Sequence, residues 1–85
     1  MYEYVSLAYF LKSLKCFKPQ LADHTIDIFY IADEDGEGVE HYVWQGKLKD
    51  CAPDNPVFKN YRYLWSDLSA YSAQTIDICC KRVEE

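Results

Sequence analysis

Acidic residues are the first candidates for chemistry in this sequence. The run DEDGEG at positions 33–38 places Asp33, Asp35 and Glu37 at alternate positions around a glycine, and such a pattern could hold a divalent cation. A calcium-binding loop, however, needs a further ligand before its glycine and a glutamate at its twelfth position. Counted from Asp33, the twelfth position is Trp44. We therefore interpret this run as a solvent-exposed hairpin turn and assign no metal to it.

Cysteine and histidine are the next candidates, since the chain has 4 Cys and 2 His. Structural zinc sites usually draw on cysteine pairs with a short spacer, whereas Cys79 and Cys80 are adjacent and His24 and His41 are not spaced as a ligand pair. No serine or cysteine stands in a context typical of an activated nucleophile. The pattern predicts a protein that is not an enzyme, with no catalytic residue, metal or cofactor.

The tetrapeptide TIDI occurs at residues 25–28 and again at residues 75–78. In each copy isoleucine alternates with a polar residue, as expected of a strand with one buried face. The residues that follow the two copies differ, so the repeat indicates two strands and not two functional sites. If these strands were neighbours, Asp27 and Asp77 would form a carboxylate pair that could bind a metal ion. A metal-dependent nuclease is therefore one alternative function.

Aromatic residues are dense in the segment 58–65. Strand alternation predicts Tyr61, Tyr63 and Trp65 on one face, with Arg62 on the other. Such residues could stack the bases of single-stranded nucleic acid, or form a protein–protein interface, where Tyr, Trp and Arg are enriched. The net charge of −5 opposes a phosphate-binding surface. We therefore expect a protein partner with a basic surface, which would contact these residues and the acidic turn.

The elements that must position these residues follow from periodicity. The 85 residues, of which 49% are hydrophobic, are expected to form one domain spanning residues 1–85. Apolar residues recur at helical spacing between Ser6, a candidate N-cap, and Pro19. Strands are predicted at residues 25–32, 39–48, 58–65 and 75–81, with a polar loop at residues 66–74. The predicted fold is α+β, with one N-terminal helix packed on a mostly antiparallel four-stranded sheet.

One face of such a sheet would be left uncovered by a single helix. Alternation predicts Tyr42 and Trp44 together on one face of the second strand. Homodimerisation through an edge strand or through an uncovered aromatic face is therefore a further expectation.

The N-terminal region predicts the compartment. Lys12 and Lys15 interrupt its apolar residues, so we expect no signal peptide. The sequence contains no run of about 18 apolar residues, so we also expect no membrane span. We expect the cysteines of such a chain to be free thiols, as in a reducing cytoplasm. We expect a cytoplasmic protein that does not contact a membrane.

Motifs along most of the chain follow a recognisable order. A helix with the pattern V-S-x-x-x-x-L-x-x-L at residues 5–14 precedes a strand and the acidic turn. VWQGKLKD at residues 43–50, a proline-containing loop, an aromatic strand and the second TIDI strand follow. This layout resembles small proteins of bacteriophages and mobile elements in Gram-positive gut bacteria, some of which are anti-defence factors such as anti-CRISPR proteins. The resemblance implies a phage accessory protein that binds and inhibits a host protein in the host cytoplasm.

Overall fold

The computed structural model describes residues 5–67 and 75–83. Its helix α1 spans Leu7–Phe17, and its strands are β1 (Thr25–Glu34), β2 (Glu37–Lys47), β3 (Tyr61–Ser66) and β4 (Thr75–Arg82). Short 3₁₀ turns occupy Pro19–Leu21, Leu48–Asp50 and Pro56–Phe58. The predicted α+β class is confirmed. Residues 68–74, which contain most of the predicted loop, lie outside the described residues.

Helix α1 begins at the predicted N-cap. The Tyr9 backbone N–H donates to Ser6 Oγ at 3.1 Å, which satisfies one of the amides that a helix start leaves without an intrahelical partner. Leu7, Leu11 and Leu14 form the buried stripe of the helix. The Lys18 backbone N–H closes the last turn on the Leu14 carbonyl at 2.9 Å, directly before the proline that prevents continuation.

The strand order in the sheet is β2-β1-β4-β3. The outer pairs β1–β2 and β3–β4 are antiparallel, as predicted, but the central pair β1–β4 is parallel. The sheet is therefore mixed, because the last strand of the chain inserts beside the first. This pairing explains the repeated tetrapeptide, since the two TIDI segments are neighbours in register, with Ile26 beside Ile76 and Asp27 beside Asp77.

The main hydrophobic core lies between α1 and one face of the sheet, which we call the helix face. Alternate residues of the two central strands point into it, and the connections before β1 and after β2 add further side chains. Phe58, at 1% exposure, is the largest fully buried side chain among the described residues. The buried members are Leu7, Leu11, Leu14, Leu21, Ile26, Ile28, Leu48, Cys51, Phe58, Ile76, Ile78 and Cys80.

A β-bulge in β2 overturns the prediction that Tyr42 and Trp44 share a face. Trp44 pairs with Ile28, while Tyr42 pairs with Phe29, so Val43 is the extra residue. An extra residue reverses the alternation of side chains beyond it. Trp44 therefore packs against the helix-face core, and Tyr42 lies on the opposite face, which we call the open face.

Candidate partner-binding face

Four side chains form a line across the open face, one from each strand. Tyr42 pairs with Phe29, Phe29 with Cys79, and Cys79 with Trp65. Phe29 and Cys79 are only 4% and 2% exposed, whereas Tyr42 is 62% and Trp65 is 49% exposed. We call Tyr42, Phe29 and Trp65 the aromatic row. It combines a buried centre with two accessible rings.

Both exposed rings are supported by the buried one. The Phe29 ring meets Tyr42 edge-on at a centroid separation of 6.3 Å and Trp65 at 6.1 Å, with interplanar angles of 61° and 80°. These are the preferred edge-to-face geometries of aromatic pairs. Because Cys79 is small, the Trp65 ring reaches Phe29 although β4 lies between their strands. The row is therefore held in place by ring contacts.

Two carboxylates lie next to the aromatic row. Asp27 and Asp77 are direct neighbours on β1 and β4, two residues before Phe29 and Cys79 respectively. Gln45 continues this line onto β2. Within the described part of the chain, Asp27 Oδ1 is buried without a hydrogen-bond partner. We call Asp27 and Asp77 the carboxylate pair, since neighbouring strands lie only about 4.8 Å apart.

The carboxylate pair meets the spatial condition of the nuclease alternative, because its strands are neighbours. A metal site usually requires additional protein ligands. Among residues 5–67 and 75–83, no group of three or more His, Cys, Asp and Glu side chains is placed to hold a metal ion.

Basic residues occupy the other end of the open face. Arg62 on β3 stands opposite Lys81 on β4, and both are exposed. Lys81 lies two residues beyond Cys79, whereas Asp77 lies two residues before it. The open face therefore changes along the strands from carboxylates through aromatic rings to bases.

A second bulge corrects the prediction that Tyr61, Tyr63 and Trp65 share one face. Tyr63 pairs with Cys80 and Trp65 with Cys79, which makes Leu64 the extra residue. Of the three predicted aromatic residues, only Trp65 is therefore on the open face.

Tyr61 and Tyr63 belong to the periphery of the helix-face core. The Tyr63 ring stacks on Phe10 of α1 at 3.7 Å and 13°, and its hydroxyl lies 2.8 Å from Ser66 Oγ. The Tyr61 ring lies 5.5 Å from that of Tyr30, and burial raises the pKa of Tyr61. These two tyrosines support the fold and do not extend the aromatic row.

The acidic turn is confirmed as a hairpin turn, and it is shorter than predicted. The strands continue through Glu34 and resume at Glu37. Asp35 and Gly36 form the turn with φ values of 53° and 82°, as favoured by an Asp-Gly pair in a tight hairpin. Asp33, Asp35 and Glu37 are all exposed. Together they form an accessible acidic tip beyond the open face.

All four cysteines are free thiols, as predicted, and only Cys16 is exposed. Burial raises the pKa of Cys51 to about 11 and that of Cys80 to about 12. The Cys80 thiol also donates to the Phe29 carbonyl at 3.2 Å. Burial likewise raises the pKa of Cys79. Neutral thiols at these three positions are packing groups and poor nucleophiles.

Sequence reasoning missed Phe29 as a member of the site, and it placed Tyr42 on an aromatic face only together with Trp44. A signal for Phe29 was present, because alternation already placed it beside Asp27 on the face opposite Ile26. A large apolar residue on the polar side of a strand indicates a second apolar contact. No local signal separated Tyr42 from Trp44, since that separation depends on the bulge at Val43.

Comparisons with known proteins give no assignment. No family model matches the sequence, and no curated protein or solved structure matches it either. No helix within residues 5–67 and 75–83 is long and apolar enough to cross a membrane. Function must therefore be inferred from the chemistry of the open face.

Proposed function

We propose that this chain is a non-enzymatic interaction protein that binds a partner protein through its open face. The aromatic row carries this proposal, because Tyr42 and Trp65 are 62% and 49% exposed while both contact the buried Phe29. Tyr and Trp are the residues most often found at the energetic centre of protein interfaces. Rings already held in position lose little conformational entropy when a partner binds.

Charge favours a basic partner. The chain carries a net charge of −5, and the acidic tip with Asp33, Asp35 and Glu37 is exposed at the end of the hairpin. Complementary charge speeds association and selects among partners. Arg62 lies between the aromatic row and this acidic tip, and Arg62 and Trp65 would contact the same partner beside its basic part.

The resemblance to anti-defence proteins of phages extends this proposal to a biological role. On that basis the partner is a host protein, and occupation of its surface by the open face inhibits it in the host cytoplasm. An inhibitor of this kind needs no catalytic group of its own, because binding alone blocks the partner.

Binding of protein is favoured over binding of nucleic acid. A platform for single-stranded nucleic acid would need several aromatic rings beside basic residues, but Tyr61 and Tyr63 lie on the face opposite Trp65. The carboxylate pair next to the aromatic row would also repel a phosphate backbone.

A second copy of the chain could occupy the same surface. The bulges at Val43 and Leu64 interrupt the regular ladders of the two edge strands, β2 and β3, which opposes pairing of such edges. Dimerisation would therefore use the aromatic row, and sedimentation of the wild-type chain and of the Trp65→Ala variant distinguishes this case.

The experiment that tests the proposal is affinity capture from nuclease-treated lysate of a Gram-positive gut bacterium. The wild-type chain is compared with the double variant Tyr42→Ala/Trp65→Ala. Tyr9→Ala is the matched control, because Tyr9 is 64% exposed but belongs to α1. We expect one protein at stoichiometric amounts with the wild type and the control, and its loss with the double variant. Capture that is unchanged in the double variant would contradict the proposal, as would retention of nucleic acid alone.

A further inference from the structure

We propose that the open face recognises an arginine side chain of its partner. The guanidinium would lie on the carboxylate pair Asp27–Asp77, and the aliphatic stem would cross the aromatic row. This inference rests on the proposed function of the open face and names the chemical group that the face selects.

Within residues 5–67 and 75–83, neither carboxylate of the pair forms a salt bridge. Asp27 and Asp77 are in register on neighbouring strands, and the salt bridges of the described residues involve Glu34 and Asp23 instead. Like charges directly opposite each other destabilise a sheet. A cation placed against the exposed side of the two carboxylates would remove this repulsion.

The aromatic row makes arginine a better match than a simple cation. The row begins two residues along the same strands from the carboxylate pair, a separation of about 7 Å that the methylene stem of a long basic side chain can bridge. Exposed Tyr42 and Trp65 offer ring surfaces to that stem. The guanidinium also presents several N–H groups in a fixed fork, which suits two adjacent carboxylates, whereas lysine presents a point charge.

The test uses three synthetic peptides, acetyl-Leu-X-Leu-amide, in which X is arginine, lysine or the neutral norleucine. Binding to the ¹⁵N-labelled chain is followed by NMR, through the backbone amides of Asp27 and Asp77 and the Trp65 indole. The double variant Asp27→Asn/Asp77→Asn removes the charges of the pair. Asp33→Asn/Asp35→Asn is the matched control, because it removes the same charge from the acidic tip.

We expect the arginine peptide to bind about tenfold more tightly than the norleucine peptide and to shift the signals of the open face. This preference should disappear in Asp27→Asn/Asp77→Asn and persist in the control. The inference is overturned if arginine and norleucine bind equally, if lysine binds as tightly as arginine, if no peptide shifts the open face, or if the preference survives loss of the pair.

The two proposals fail in different ways. If partner capture depends on Tyr42 and Trp65 but the peptides show no arginine preference, only the arginine inference falls. If capture does not depend on these aromatic residues, the proposed function itself falls.

Discussion

Asp27 and Asp77 lie side by side on the two central strands of the sheet, which run parallel. Parallel pairing places the same position of each TIDI segment at the same level, so the isoleucines share the buried face and the aspartates share the open one. The arrangement that buries Ile26, Ile28, Ile76 and Ile78 therefore also brings two negative charges together.

Removal of one charge from the carboxylate pair should stabilise the fold. We expect Asp77→Asn to raise the free energy of unfolding by about 0.5–1 kcal/mol, because it removes a like-charge contact and places an amide donor near Asp27. Urea unfolding at neutral pH measures the change. Asp33→Asn is the control, and at this exposed site the effect should stay within about 0.5 kcal/mol. A variant Asp77→Asn that is less stable than the wild type would contradict this expectation.

The stacked pair Phe10–Tyr63 should be energetically coupled. Their ring centroids are 3.7 Å apart, so a double-mutant cycle with Phe10→Leu and Tyr63→Leu should give a coupling free energy of about 0.5–1.5 kcal/mol. The same cycle for Phe10 and Trp65 should give less than about 0.5 kcal/mol, since Trp65 is on the other face of the sheet. Equal coupling in both cycles would show that the bulge at Leu64 does not separate Tyr63 from Trp65.

Only one thiol should react rapidly in the folded chain. Cys16 is exposed, while Cys51, Cys79 and Cys80 are at most 2% exposed. With DTNB we expect a fast phase from Cys16 and a slow phase from the other three, which is limited by opening of the structure. Cys16→Ala should abolish the fast phase. A fast phase that survives this substitution would mean that a buried thiol is accessible.

Stability should decrease at alkaline pH because of the buried thiols. Burial raises the pKa of Cys80 from 9.0 to about 12 and that of Cys51 to about 11. Each neutral buried thiol stabilises the folded chain relative to the unfolded chain. Because the folded-state pKa is raised, this stabilisation is complete below the unfolded pKa of 9.0 and is lost as the pH rises towards the folded-state pKa. Urea unfolding between pH about 8 and about 11 follows the loss.

Variants isolate the thiol contribution from that of other groups that titrate in the same range. We expect Cys80→Ala to make the alkaline decrease shallower, by up to about 1.4 kcal/mol per pH unit. Cys16→Ala should leave the slope of the wild type unchanged. Identical slopes for Cys80→Ala and the wild type would indicate that Cys80 ionises as readily in the folded chain as in the unfolded chain.

Local chemistry explains most of the elements that could be predicted. Ser6 caps a helix with a leucine stripe because its hydroxyl accepts from the Tyr9 amide, and Asp35-Gly36 turns the hairpin because both residues adopt positive φ. The two TIDI segments form strands with the predicted buried isoleucines. These features depend on residues close together in the chain.

The membership of the candidate site could be predicted only in part. The exposed acidic tip and Trp65 follow from composition and alternation, but the bulges at Val43 and Leu64 separate Tyr42 from Trp44 and Tyr63 from Trp65. In each case the separated rings reach partners on different faces, as when Trp44 meets Phe58 at 6.4 Å while Tyr42 meets Phe29. Alternation within a strand contains no information about such partners.

The helix, the four strands and the buried face of each central strand could be predicted from the sequence, because periodicity and capping act over a few neighbouring residues. The insertion of β4 beside β1, and the alignment of Tyr42, Phe29 and Trp65 in one row, became visible only in the folded chain. Both outcomes depend on packing between residues that are distant in the chain. The carboxylate pair shows the two contributions together, since alternation put each aspartate on the polar face and parallel pairing made them neighbours.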